Sequence, residues 1–279
     1  MSIYLDCNAT TPVEPEVVEK INNYLTKDFG NEGSHTHEFG SVAKKAVQEA
    51  RDNIGNLIDA SRNEIIFTSG ATESNNIAIL GLKDFGEKNN KKHIITTSIE
   101  HKAVLEPIEE LKKIGFDVDI LNVDKSGRIN PNDLKDKLRK DTLLISVMSV
   151  NNETGIIQPI KEICDLIKDH ECFFHVDAAQ GFGKDIETLQ NKRIDLISFG
   201  LHTEIKNDLG EFLVDVVGQS GSSNYVLNGE TIFSWAAQAN ANINLTDELS
   251  LNSNALVLSA DSGSHNDSHS ISSRTFCRR

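Results

Sequence analysis

The chain has 279 residues, enough to bury a sizeable core in one large domain or two smaller ones. Its 28 Lys and Arg face 42 Asp and Glu, a formal charge of −14. A surplus of that sign repels the phosphates of nucleic acid and the headgroups of an anionic membrane, which argues against nonspecific binding to either, and neither is expected as a partner. The four cysteines (Cys7, Cys164, Cys172, Cys277) are widely spaced and make no Cys-x-x-Cys pair. They fit free thiols in a reducing cytosol better than a disulfide framework or a zinc site. No apolar run reaches the length of a membrane span, and Met1-Ser2-Ile3-Tyr4-Leu5-Asp6 lacks the regions of a signal peptide. A cytoplasmic protein is expected.

In chain order, residues 3–6 are extended in character and run into the turn-rich Cys7-Asn8-Ala9-Thr10-Thr11-Pro12. A helix is predicted to start near Glu14-Pro15-Glu16, with Pro early and acids in the first turn, and Val17, Ile21 and Leu25 form its apolar stripe. The loop Gly30-Asn31-Glu32-Gly33-Ser34-His35-Thr36-His37 has two histidines but no Cys or carboxylate cluster to complete a metal set. They read as solvated loop residues. Val42, Ala46, Ala50, Ile54 and Leu57 recur at helical spacing over 42–58.

A strand predicted at 64–68 leads into Ser69-Gly70-Ala71-Thr72-Glu73-Ser74-Asn75-Asn76 and a helix through Ile79 and Leu82. Strand, small-residue turn and helix together suit a phosphate. Gly70 and Ala71 let an anion approach, Thr72 offers a hydroxyl, and the first helical N–H groups point at it. An ordinary N-cap by Ser69 or Thr72 explains the same residues without a ligand. The alternation continues with strands at 93–97, 117–123 and 142–150, and helices at 103–113, from 130, and at 160–168. A buried strand ends in His175-Val176-Asp177-Ala178-Ala179-Gln180, and another covers 195–199. Such regular alternation means a mostly parallel, doubly wound α/β sheet with helices on both faces. Thr72, His101, Asn152 and Asp177 each follow or end a strand, so one sheet edge is expected to collect them. A carboxylate buried there needs a partner, for which the protonated ring nitrogen of pyridoxal phosphate is suited; a strand-end Asp capping a turn is the plainer alternative.

Five segments now stand in order: Tyr4-Leu5-Asp6 with Ala9-Thr10-Thr11-Pro12; Ser69 to Asn76; Glu100-His101; Val150-Asn151-Asn152-Glu153-Thr154-Gly155; and His175 to Gln180. Over residues 1–200 the chain resembles the NifS/IscS-like cysteine desulfurases, pyridoxal 5'-phosphate enzymes of fold type I in the class-V aminotransferase superfamily. The resemblance implies that Ala71 and Thr72 bind the cofactor phosphate, with His202 beside them. It implies that His101 stacks on the ring and moves protons, that Asn152 and Gln180 contact the phenolic-oxygen side, and that Asp177 holds the ring-nitrogen proton. It also implies L-cysteine as substrate, alanine and an enzyme persulfide as products, a sulfur-acceptor protein for iron–sulfur cluster assembly or other sulfur transfer, and a homodimer.

The pattern breaks near residue 200. The family places Ser-x-His-Lys there, followed by a Gly-Pro-Lys-Gly turn, and that Lys bonds the cofactor. This chain reads Ser198-Phe199-Gly200-Leu201-His202-Thr203-Glu204-Ile205-Lys206. Thr203 occupies the lysine position, and Lys206, three residues on, is about 10 Å away along an extended chain, far outside a catalytic tolerance of about 1 Å. From 211 to 279 there is no lysine, and Ser and Asn dominate. Residues 1–208 are therefore expected to form the cofactor-binding large domain with its N-terminal arm. Residues 209–279 are expected to form a divergent segment with short strands at 212–217 and 255–258 and a tail disordered by composition. Cys277, among Arg274, Arg278 and Arg279, reads as a solvated tail thiol. Truncation, frameshift or fusion accounts for the break. The expectation is an impaired desulfurase; a noncatalytic scaffold on the same fold, or another class-V enzyme such as a selenocysteine lyase, is the alternative.

Overall fold

A computed structural model of the protein describes residues 3–5, 7, 11–190, 193–207, 210–221, 234–246 and 249–260; for residue 188 and from 201 onward it describes the backbone alone. Helix α1 spans Pro15–Thr26 and α2 Glu38–Leu57, followed by β1 (Ile66–Thr68), α3 (Ala71–Leu80) and α4 (Lys83–Lys88). Next come β2 (His93–Thr97), α5 (Lys102–Lys113), β3 (Asp117–Leu121), α6 (Pro131–Lys137), β4 (Thr142–Met148), α7 (Ile160–Ile167) and β5 (Phe173–Asp177). The strands β6 (Leu196–Asn207), β7 (Gly210–Gly221), β8 (Ser234–Thr246) and β9 (Leu249–Ala260) complete the sheet.

Its order is β3-β2-β4-β5-β6-β7-β8-β9, with β1 pairing β7 off this path. The first five strands in that order are parallel. β7 runs antiparallel to β6, and β1 antiparallel to β7, so β1 points the same way as the parallel set. The carboxyl ends of β1, β2, β4 and β5 consequently share one edge.

Every residue of β2 and β4 is buried, as expected of strands covered on both faces. Successive residues serve opposite cores. Ile95, Ile145, Val147, Phe174 and Val176 pack with Leu134 of α6 and with Ile160, Ile163 and Ile167 of α7. Ile94 and Leu144 pack with Ile79 of α3 and with Val104, Ile108 and Leu111 of α5 on the other side. The expected doubly wound sheet is what forms.

Two element starts depart from the sequence reading by two or more residues, and one apolar stripe stays unburied. Residues Arg62–Glu64 form a 3₁₀ turn rather than the start of β1, because Ser61 and Glu64 build a capping box: Glu64 Oε2 accepts from Ser61 N and Ser61 Oγ, both at 2.7 Å. Helix α2 begins four residues before 42, since His37 caps it, Nδ1 accepting from Gly40 N at 3.2 Å. The apolar stripe of α1 exists, but none of its residues is buried. The strands expected at 212–217 and 255–258 fall within β7 and β9. Residues 261–279, with Cys277, lie outside the described residues.

Candidate functional site

Asp177, the last residue of β5, sits at the shared carboxyl edge and is 5% exposed. Met148 of β4 and Ser198 of β6 flank it in register. Its Oδ2 accepts from Asn75 Nδ2 at 2.8 Å and its Oδ1 from Ala179 N at 3.0 Å. Burial pushes this carboxyl above the ordinary aspartate range, opposed by the Ala179 and Asn75 donors and by the charge of His101. The arrangement is that of a carboxylate built to meet a cationic or N–H partner. Asn75 itself is fully buried, and its Oδ1 finds no hydrogen-bond partner among the described residues.

Across the edge, β1 passes through Ser69 and Gly70 into α3. Gly70 is the N-cap and brings no side chain to the helix end. The N-cap reading for Ser69 or Thr72 is thus corrected. Ser69 instead donates through its N and its Oγ to Glu73 Oε2, both at 2.6 Å, and Thr68 Oγ1 bonds Ser74 Oγ at 2.9 Å. These bonds hold the turn from beneath while the half-buried Ala71 and the exposed Thr72 open the first turn of α3 outward. A helix end without a capping side chain is an anion site in the making.

After β2, His101 caps α5, Nδ1 accepting from Ala103 N at 3.1 Å. With Nδ1 accepting there, Nε2 is the ring nitrogen that can donate. After β4, Asn151 organises the turn. Its Oδ1 accepts from Glu153 N, Thr154 N and Thr154 Oγ1, and its Nδ2 donates to Ile99 O at 3.1 Å. Asn152 stands half-buried on that turn, and Gln180 half-buried on the turn after Asp177. His202 belongs to the backbone of β6, but its side chain lies outside the described residues, as do those of Thr203 and Lys206.

Two buried groups here escaped the sequence reading as functional residues. Glu100 accepts at Oε1 from Thr97 Oγ1 at 2.7 Å and Met148 N at 2.8 Å, and burial pushes its pKa up to about 8. His175 bridges three strands, Nδ1 to Ser146 Oγ at 2.8 Å and Nε2 to Ser198 Oγ at 2.9 Å, and burial lowers its pKa to about 3. Both stand inside the quoted segments, yet only tertiary packing reveals them.

The chain matches the Aminotransferase class-V family over residues 3–205. It belongs to that family. It is 50% identical over 200 residues to the mitochondrial cysteine desulfurase of Candida maltosa, covering 72% of this chain and 41% of that protein. It is 47% identical over 202 residues to the cysteine desulfurase IscS of Dechloromonas aromatica, covering 72% of this chain and 50% of that protein. Among solved structures, SspA in complex with cysteine is 35% identical with a TM-score of 0.68, covering 79% of this chain and 61% of that one. The chain thus spans half or less of the length of these curated relatives. No helix among the described residues is long and apolar enough to cross a membrane.

Pyridoxal 5'-phosphate is the cofactor of this class-V family. The described residues fit its noncovalent contacts. Asp177 offers a buried carboxylate for the ring nitrogen, and the α3 terminus, uncapped by Gly70, offers N–H groups for the phosphate. Thr203, which the resemblance sets at the covalent position, carries no amine to bond the cofactor.

Proposed function

We propose that this class-V chain holds pyridoxal 5'-phosphate without a covalent link, as a cysteine-desulfurase-like protein with little or no turnover of L-cysteine. The observation that carries the reading is Asp177, a buried carboxylate held by Asn75 and Ala179 N at the end of β5, on the sheet edge where the segments of His101 and Thr72 also begin. Asp177 keeps a proton on the ring nitrogen, Ala71 and Thr72 bind the phosphate at the α3 terminus, and His202 adds a donor there. His101, with its proton on Nε2, covers the ring and exchanges protons with the bound amino acid. Asn152 and Gln180 orient the phenolic-oxygen side. When bound, the cofactor supplies an electron-withdrawing ring that drains charge from the carbon of an amino acid. Thr203 brings no amine to that reaction, and an exchangeable amine is what such catalysis needs.

L-cysteine is the proposed ligand of the same cleft; a sulfur-acceptor protein and a second copy of the chain are its proposed partners. Thr203 also favours the noncatalytic scaffold, which differs only in having no residual turnover. The class-V unit is proposed to close near residue 208, just past the family match.

Titration of the full chain with pyridoxal phosphate, followed by absorbance, tests the reading. Saturable binding is expected, weakened about tenfold or more in Asp177→Asn, the scale of one lost charge-assisted hydrogen bond. Borohydride should fix no cofactor to the parent chain, whereas Thr203→Lys should gain covalent attachment without sulfide release. Cofactor fixed at Lys206, together with cysteine-dependent alanine formation, would refute the proposal.

A further inference from the structure

The backbone pairing of β2 with β4 reaches only as far as Ile95 and Ile145, although both strands continue. Side chains take over from there. Thr96 Oγ1 donates to Ser146 O at 3.2 Å, and Glu100 Oε1 accepts from Met148 N at 2.8 Å. A buried carboxyl thus does the work of the missing ladder carbonyl, because a buried N–H left without an acceptor is costly.

Three segments of the site meet at this carboxyl. Met148 is the register partner of Asp177, and the next residue, Ser149, donates its N–H to Asp177 O at 2.8 Å. On one side Glu100 is followed directly by His101, the cap of α5. On the other it is preceded by Ile99, whose carbonyl accepts from Asn151 in the turn that carries Asn152. Moving Glu100 would therefore shift the footing of His101, Asn152 and Asp177 together.

We propose that Glu100 is a positioning residue of the pyridoxal phosphate site, setting the spacing between the His101 segment, the 149–155 turn and Asp177. What the site holds rests on the proposed function; the positioning role rests on the geometry alone. The second oxygen, Oε2, is buried with no hydrogen-bond partner among the described residues. Burial, the largest influence on the group, favours its neutral form, with Asp177 as a further like-charged neighbour. A neutral Glu100 puts no second negative charge beside Asp177. It follows that an amide, which keeps the acceptor oxygen and carries no charge, replaces it well.

The test uses the full chain as parent, Glu100→Gln, Glu100→Ala and Glu100→Asp, the last too short to reach Met148 N. Amide hydrogen exchange without cofactor is measured at Met148 and Ser149, with Ile94 and Ile95 as reference positions in the sheet. Glu100→Ala and Glu100→Asp should exchange about tenfold faster at Met148 and Ser149 relative to the reference positions, and Glu100→Gln should stay within about threefold of the parent, as loss or retention of one buried hydrogen bond predicts. Pyridoxal phosphate affinity should follow the same order. Unchanged relative exchange at Met148 and Ser149 in both the Ala and Asp variants overturns the proposal. Should the Ala variant not fold, the Asp and Gln pair decides on the same readout. A parent chain that takes up no pyridoxal phosphate would remove the functional reading while the exchange result still decides the role of Glu100.

Discussion

His175 and Glu100 pull the pH dependence of stability in opposite directions. Burial lowers His175 from its usual 6.5 to about 3. Between those values the unfolded chain binds a proton that the folded chain refuses, so stability is lost as pH falls from 6.5 towards 3. Glu100 rises from 4.5 to about 8. Between those values the folded chain keeps a proton that the unfolded chain releases, so stability is lost as pH rises from 4.5 towards 8. Each slope is about 1.4 kcal/mol per pH unit, so between 4.5 and 6.5 the two cancel. The raised carboxyls of Asp177 and Asp195 add to the loss as pH rises, and the lowered His93 adds to the loss as pH falls. Thermal melting across pH 3 to 9 should show a maximum in the mildly acidic range. Glu100→Gln should lessen the decline from 6.5 to 8 because it has no proton to lose. A variant whose decline there matches the parent's would show that Glu100 does not carry it.

At the scale of elements, the loop before α2 is locked to the helix by two crossings at which a glycine is required. A methyl group on Gly40 would fall on the carbonyl oxygen of Ser34, and one on Gly30 on that of Phe39. Alanine normally gains about 0.5–1 kcal/mol over glycine inside a helix. A backbone clash of this kind costs about 1–3 kcal/mol, so the clash wins. Gly40→Ala should lower the denaturant midpoint at unchanged slope; an equal or higher midpoint would mean that the loop shifts at no cost. The same stretch shows where sequence legibility ends. β4 was readable as the near-continuous apolar run of a strand buried on both faces, and β2 and β5 as shorter apolar stretches within a regular strand–helix alternation. The start of α2 was not, because His37 reads as a loop residue until its ring is seen to accept from Gly40 N. Ser61 and Glu64 carried a visible capping signal, but the apolar residues beyond them masked it. In the site, Asp177, His101 and Thr72 could be placed at one edge from strand order alone. The bond from Asn75 to Asp177 joins residues 102 positions apart, and that from Met148 N to Glu100 joins residues 48 apart. No local period encodes either.

For the molecule as a whole, exposed apolar surface among the described side chains is concentrated at the N-terminal end. Ten of the fourteen large apolar residues exposed among those described fall between positions 3 and 57. They include Val17 and Leu25, which are 47% and 57% exposed on α1. Together with Ile21 they form the stripe that the helical spacing predicted, so the amphipathic pattern is present without burial. Exposed apolar surface of this kind promotes association and limits solubility. Charging the stripe should relieve this at little cost to folding, since exposed substitutions ordinarily change stability by no more than about 0.5 kcal/mol. The helix dipole decides which charge belongs where. Val17→Glu places an acid in the first turn of α1, and Leu25→Lys a base in the last, so both favour the helix and the net charge stays at −14. The double variant should melt within a few degrees of the parent and remain clear by light scattering at higher concentration. A large fall in melting temperature would show instead that Val17 and Leu25 are covered in solution, and that the chain is stabilised through this face.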